Sequence, residues 1–227
     1  MLRIALLFGL LTLQSWAYAE NAPYNRVDFQ VEAAREVAND LLVAGMSIEV
    51  QDRQPARVAQ QINAALNDAL KKAAIFRNVK VTSGSQNTYP VYGKNNQVDG
   101  WRGHAEIRLE SRDFKAAGEL IMQLQSTLQL NGLNFTLAPD SRAQSESDLI
   151  AEAIKAFTAR ADAIRAAFGA HAYKTVRFSI NSGMPPYYPK AMMRAAPMAA
   201  DAAIPQPEFA GGDTRMTVQV SGTIELQ

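Results

Sequence analysis

The chain has 227 residues, with 23 Lys and Arg against 22 Asp and Glu, and it contains no cysteine. This near-neutral charge argues against a nucleic-acid-binding protein, because such binding relies on many Lys and Arg contacts to phosphate. Without cysteine the chain lacks the thiols needed for a disulfide scaffold, thiol catalysis, cysteine-ligated zinc, an iron–sulfur centre or a lipid anchor.

Residues 1–19 are predicted to be a cleaved signal peptide. Arg3 gives a positive start, residues 4–13 are apolar but too short to span a bilayer as a helix, and residues 17–19 have the small-x-small pattern of a signal-peptidase site. No later segment approaches the roughly 20 apolar residues of a membrane span. We therefore expect export, a periplasmic chain that begins at Glu20 with equal numbers of acids and bases, and no transmembrane span.

Two strands are predicted near the start of the mature chain. Apolar and polar residues alternate along 27–37 and again along 41–50, which is typical of strands buried on one face. Asn39 and Asp40 lie between the two segments and favour a turn, so we expect the strands to pair as a hairpin.

A second hairpin is predicted over residues 79–110, with residues 93–97 as its turn. Its outgoing arm has one apolar and one polar face, as in an antiparallel sheet with one side in water. The apolar face has Trp101, Ala105, Ile107 and Leu109, and the polar face has Arg102, His104, Glu106, Arg108 and Glu110.

Three amphipathic helices are predicted from apolar residues that recur at helical spacing. Asn131 and Gly132 are expected to end the second helix. Ser145 and Asp148 resemble a capping box at the start of the third, and Gly169 follows its last turn. The predicted helices cover about 54–75, 113–130 and 145–168.

The remaining strands complete an α+β fold. They are predicted at 133–139, 173–181 and 215–226, and a Pro- and Met-rich loop is predicted at 183–213. Val176, Phe178 and Ile180 are expected to face the core. We expect one domain over residues 20–227, a largely antiparallel sheet with three helices packed on one face, in an arrangement that allows two lobes.

Three segments resemble the SIMPL-domain family of bacterial periplasmic or outer-membrane-associated proteins, known as a domain of unknown function. A Trp-led strand runs into an Asp and a helix within 100–121, an Ala-rich helix at 151–169 carries Arg160 before Gly169, and a Gly-acid turn precedes the final strand within 209–226. The resemblance implies a self-associating protein with a role in envelope maintenance or oxidative stress protection, peripherally associated with the envelope. It implies no catalytic residue and no cofactor, so we expect a non-enzymatic protein.

The chain has two histidines that could serve as metal ligands or as acid–base groups. His104 is predicted on a polar strand face beside Glu106, where a solvated ion pair is favoured over a metal or acid–base role. His171 follows Gly169 at the end of the third helix, where the helix dipole favours an imidazolium. Sequence motifs typical of nucleotide binding, zinc proteases or serine hydrolases do not occur.

Four methionines in the Pro-rich loop are the metal candidates: Met184, Met192, Met193 and Met198. Their thioethers suit Cu(I), and exposed methionines can also be oxidised reversibly as scavengers. Methionine more often makes pliant apolar contacts. The favoured interpretation is a connection or contact loop of a homo-oligomer, with a periplasmic Cu(I)-binding module as the alternative.

Overall fold

The computed structural model describes residues 24–183 and 210–227. The predicted signal peptide and most of the Pro- and Met-rich loop lie outside these residues. The elements are β1 (Arg26–Ala38), β2 (Leu41–Asp52), α1 (Pro55–Ala73), β3 (Lys80–Tyr92), β4 (Val98–Ser111), α2 (Phe114–Leu124), β5 (Gln129–Thr136), α3 (Pro139–Ala167), β6 (Tyr173–Gly183) and β7 (Asp213–Leu226).

The described strands form two antiparallel sheets. One has three strands in the order β1-β7-β6, and the other has four strands in the order β3-β4-β2-β5. The predicted α+β class with antiparallel strands and three helices is confirmed, and the strands divide between two lobes. Residues 41–136 form the four-stranded lobe as one continuous insertion between β1 and α3.

The four-stranded sheet buries one face beneath α1 and α2. Small and branched apolar residues alternate along β2 and β4, so their buried side chains meet the apolar stripes of the two helices. Gly103 of β4 lies directly beneath Val58 and Ile62 of α1, where a β-carbon would collide with both side chains. This close approach brings α1 onto the sheet.

The three-stranded sheet has its own core beneath α3. Leu149, Ala153, Phe157 and Ala161 follow helical spacing and pack against the alternating apolar residues of β7. The ring of Phe157 stacks on Phe29 of β1 with centroids 4.4 Å apart. Each sheet therefore has a separate apolar core on one face and a polar opposite face.

The predicted hairpin of the first two strands is wrong. β1 pairs along its whole length with β7, whereas β2 pairs with β4 and β5 in the other sheet. Asn39 and Asp40 connect the two sheets. Their side chains bind segments that are distant in the sequence, so these two residues do not close a turn between β1 and β2.

The hairpin of β3 and β4 and the three predicted helices are confirmed, but two helix ends differ. α2 ends at Leu124, and Asn131 is a bulged residue of β5 whose side chain accepts a hydrogen bond from Ser47. α3 begins at Pro139, so Ser145 lies inside the helix. Gly169 has a positive φ of 67° just after α3, as the predicted helix end requires.

Candidate functional site

The junction between the two lobes is organised by Asp40. One carboxylate oxygen accepts a hydrogen bond of 2.7 Å from the backbone N–H of Ala138, and the other accepts one of 2.5 Å from the hydroxyl of Ser141. Ala138 is the N-cap of α3 and has no capping side chain of its own. Asp40 therefore caps α3 from the neighbouring segment and places a negative charge at the helix N-terminus.

Arg112 adds a cation to the same junction. Its guanidinium lies 3.6 Å from the Asp40 carboxylate and also pairs with Asp140 in the first turn of α3. Burial would raise the pKa of Asp40, but the hydrogen bonds from Ala138 and Ser141 and the charge of Arg112 outweigh it and lower that pKa. Hydrogen bonding to Arg112 likewise lowers the pKa of Asp140.

Asn39 ties a third segment to this junction. Its side chain is buried, with 6% exposed, and its amide group donates a 2.9 Å hydrogen bond to the Gly211 carbonyl. The hydroxyl of Thr214 donates to the amide oxygen of Asn39 at 2.6 Å. The chain that enters β7 is therefore fixed beside the two lobe crossings.

Asp113 belongs to the same neighbourhood and caps α2. Its carboxylate accepts a hydrogen bond of 3.0 Å from the Ala116 backbone N–H, which lowers the pKa of Asp113, with further support from Asn78. Ser111 bonds to the carbonyl of Asn78 at 2.7 Å and accepts from the Asp113 backbone N–H at 2.9 Å. These contacts fix helix ends and chain crossings.

The polar face of the four-stranded sheet holds His104 where the sequence predicts it. Nε2 of His104 lies 3.0 Å from a carboxylate oxygen of Glu106, and Arg102 lies 3.4 Å from Glu49 on the neighbouring strand. In the described part of the chain, no group of three or more His, Asp or Glu residues is placed to hold a metal ion. His104 lies in a row of polar and charged side chains on this face.

The remaining candidate site residues are His171 and the four methionines. The backbone N–H of His171 binds the Gln227 carbonyl at 2.9 Å, which places the residue beside the last strand. The four methionine candidates, Met184, Met192, Met193 and Met198, lie outside the described residues.

Among the described strands, β6 is an edge of the three-stranded sheet, and it carries exposed apolar side chains. Phe178 and Ile180 face the same side as the buried residues of β7, and Phe178 meets Phe157 edge-on at 5.2 Å. They remain 41% exposed, and Val176 is 44% exposed, so the predicted inward side is right for Phe178 and Ile180 but burial is incomplete. The reason is that α3 lies over β1 and β7 and leaves β6 largely uncovered.

The protein has two antiparallel sheets, one covered by α1 and α2 and the other by α3, and an ion-paired junction between them. This arrangement defines an α+β protein of two lobes. A family profile described as SIMPL, "Protein of unknown function (DUF541)", matches residues 27–224. The chain belongs to this family, as the sequence resemblance predicts. In the described residues, no helix has both the length and the apolar character to cross a membrane.

Other comparisons add little. No curated protein matches the chain. A solved structure described as "The crystal structure of AtUAH in complex with glyoxylate" aligns with 45% of this chain and 28% of its own length, at 16% identity and a TM-score of 0.27. A likeness this low carries no argument about fold or function.

Proposed function

We propose that the protein is an exported, non-enzymatic periplasmic protein that self-associates through strand β6 and acts in envelope maintenance or oxidative stress protection. The observation that carries the proposal is the exposed apolar edge formed by Val176, Phe178 and Ile180. Export is supported by the order of charge, apolar stretch and cleavage pattern in residues 1–19.

The two edges of the three-stranded sheet differ in how they are protected. β1 carries charged residues along its length, and α3 packs over its apolar face. In β6, residues 178–183 contain no charge, and their apolar members are open to solvent. In natural proteins, charged residues or a covering helix or loop usually prevent an edge strand from pairing with another chain. An uncharged apolar edge therefore favours pairing with another strand.

A second copy of the chain is the partner that this edge fits. Antiparallel pairing of β6 with itself about a twofold axis is self-complementary and joins the backbone groups of the two edges. It also brings Phe178 and Ile180 of both copies together on the side that carries α3. The result is a continuous six-stranded sheet built from two three-stranded sheets.

The proposal that the protein is not an enzyme is supported by the roles of the carboxyl groups whose pKa values are shifted. Asp40, Asp113 and Asp140 have lowered pKa values, and each is explained by a helix cap or by Arg112. Catalytic acids and bases are more often recognised by a pKa moved toward neutrality in a cleft. These carboxylates serve to hold chain segments together.

Sedimentation velocity on the exported protein tests the proposal. We expect an assembly at micromolar concentration, a monomer for Ile180→Lys, and an unchanged assembly for the control Val98→Lys. Val98 is 52% exposed and lies in the other sheet, so the control adds the same charge to an exposed apolar position. A wild-type monomer, or an Ile180→Lys assembly of unchanged size, contradicts the proposal.

The cellular role is tested by deleting the gene and growing the strain with peroxide or detergent. Selective sensitivity to peroxide supports protection from oxidative stress, whereas sensitivity to detergent supports envelope maintenance and peripheral envelope association. Normal growth under both conditions contradicts both roles. Complementation with Ile180→Lys then tells whether the role requires self-association.

The second candidate is a periplasmic Cu(I)-binding module. It is supported by four thioethers within one Pro-rich segment, Met184, Met192, Met193 and Met198. Competition with a Cu(I) chelator measures the affinity, which should fall when all four residues are changed to Leu. An unchanged affinity removes this candidate.

A further inference from the structure

The three-stranded sheet has a shallow depression on the face turned away from α3. Its volume is about 490 Å³, within the range of small-molecule clefts. Phe29 and Gly222 contribute to its lining, and the other six lining residues are polar or charged. Its polar residues are Asp28, Gln30, Arg177, Ser179, Ser221 and Thr223.

An irregularity in β6 places Arg177 at this depression. Thr175 pairs with Ile224 and Arg177 with Thr223, so Val176 is an extra residue in the ladder. A bulge of this kind bends the strand and turns the following side chain. Gly222 permits the close approach, because a β-carbon there would lie 2.6 Å from the Arg177 carbonyl oxygen.

Several polar groups of the depression have bonding capacity left for a ligand. Within the described residues, Arg177 forms no ion pair, and the hydroxyls of Ser179 and Ser221 form no side-chain hydrogen bond. The Asp28 carboxylate accepts a bond from the Thr223 hydroxyl and has a second oxygen to accept another. The face therefore offers one cation, one anion and several hydroxyls close together.

We propose that this depression binds an acidic saccharide, a sugar residue that carries a carboxylate. The planar guanidinium of Arg177 matches a carboxylate through paired charge-assisted hydrogen bonds. Asp28 accepts from sugar hydroxyls, while Ser179 and Ser221 both donate and accept. A simple anion leaves the second oxygen of Asp28 unused, and a neutral sugar leaves Arg177 without a charged partner, so the combination selects a ligand with both groups.

This inference goes beyond the proposed function and does not depend on self-association, since all of these residues belong to one protomer. Both variants for its test lie on the polar face of the sheet, away from the α3 core. Arg177→Gln removes the cation of the depression. Arg215→Gln is the matched control, because Arg215 lies on the same face, opposite Glu36, and outside the depression.

Saturation-transfer difference NMR on the exported protein tests the proposal with glucuronate, glucose and acetate as probes. We expect glucuronate to bind more tightly than either other probe, and Arg177→Gln to weaken it about tenfold. Arg215→Gln should leave the affinity unchanged. The proposal is overturned if glucuronate gives no signal, if acetate binds as well as glucuronate, or if both variants behave alike.

Discussion

The carboxylate of Asp40 accepts a 2.7 Å hydrogen bond from the backbone N–H of Ala138, a residue 98 positions further along the chain. Residues 39–40 and 137–138 are the two places where the chain passes between the lobes. One contact therefore joins both crossings and caps α3. The two sheets are held in one unit by this junction as well as by chain connectivity.

Replacing Asp40 tests this role. We expect Asp40→Ala to lower the free energy of unfolding by about 1–2 kcal/mol, because α3 loses its cap and the hydroxyl of Ser141 loses its acceptor. Asp40→Asn keeps one oxygen acceptor and should cost less. Urea unfolding of both variants measures the difference; equal stability of Asp40→Ala and wild type contradicts the capping role.

The lowered pKa of Asp40 predicts how stability depends on pH. In the unfolded chain the carboxyl has its ordinary pKa near 3.9 and binds protons at a pH where the folded form stays ionised. Its stabilising effect is present above about pH 5 and is lost as the pH falls through 4 and below. Urea midpoints from pH 6 to pH 3 should fall less steeply for Asp40→Asn than for wild type.

Asn39 is expected to matter as a buried polar hub. Asn39→Ala removes the side chain that bonds to both the Gly211 carbonyl and the Thr214 hydroxyl. The change should cost about 1–3 kcal/mol, because it leaves these half-buried polar groups without that partner. In a double-mutant cycle, Thr214→Val should cost little once Asn39 is already Ala. Additive losses from the two changes would show that the two side chains do not interact.

Gly222 should be intolerant of a side chain. A β-carbon there would lie 2.6 Å from the Arg177 carbonyl oxygen and 2.8 Å from the ring of Phe157, so both backbone and core must shift. We expect Gly222→Ala to lower the free energy of unfolding by about 1–3 kcal/mol. Gly183→Ala is the control, since no atom of the described residues lies within 4 Å of a β-carbon at that position.

The sequence correctly predicts the strands and helices that bury one side, because their apolar residues recur at regular spacing. Alternation along β7 and helical spacing in α3 are visible because one side of each element faces a core. His104 and Glu106 could be paired for the same reason, as residues two apart on a strand share a face.

Contacts between residues far apart in the sequence cannot be predicted from these local patterns. The start of α3 is misplaced at Ser145 because its cap is supplied by Asp40 and no local motif marks Pro139. The pairing of β1 with β7 joins the two ends of the chain, so no local signal opposes a hairpin of β1 with β2. The depression near Arg177 depends on a bulge at Val176, which alternation alone does not reveal.

The proposed self-association through β6 can be tested by measuring a distance between labels on two copies of the chain. The chain has no cysteine, so a nitroxide on Asn181→Cys labels β6 at a single position outside the depression. Because β6 has 11 residues at about 3.3 Å each, antiparallel pairing of β6 with itself over about five or more residues keeps the two labelled positions within about 40 Å. Double electron–electron resonance should give that distance. A label on Thr82→Cys, in the edge strand β3 of the other sheet, is the comparison.

A defined distance at Asn181→Cys that disappears in the Ile180→Lys background is the expected result. The absence of any intermolecular distance at Asn181→Cys would contradict pairing through β6, as would a short distance found at Thr82→Cys instead.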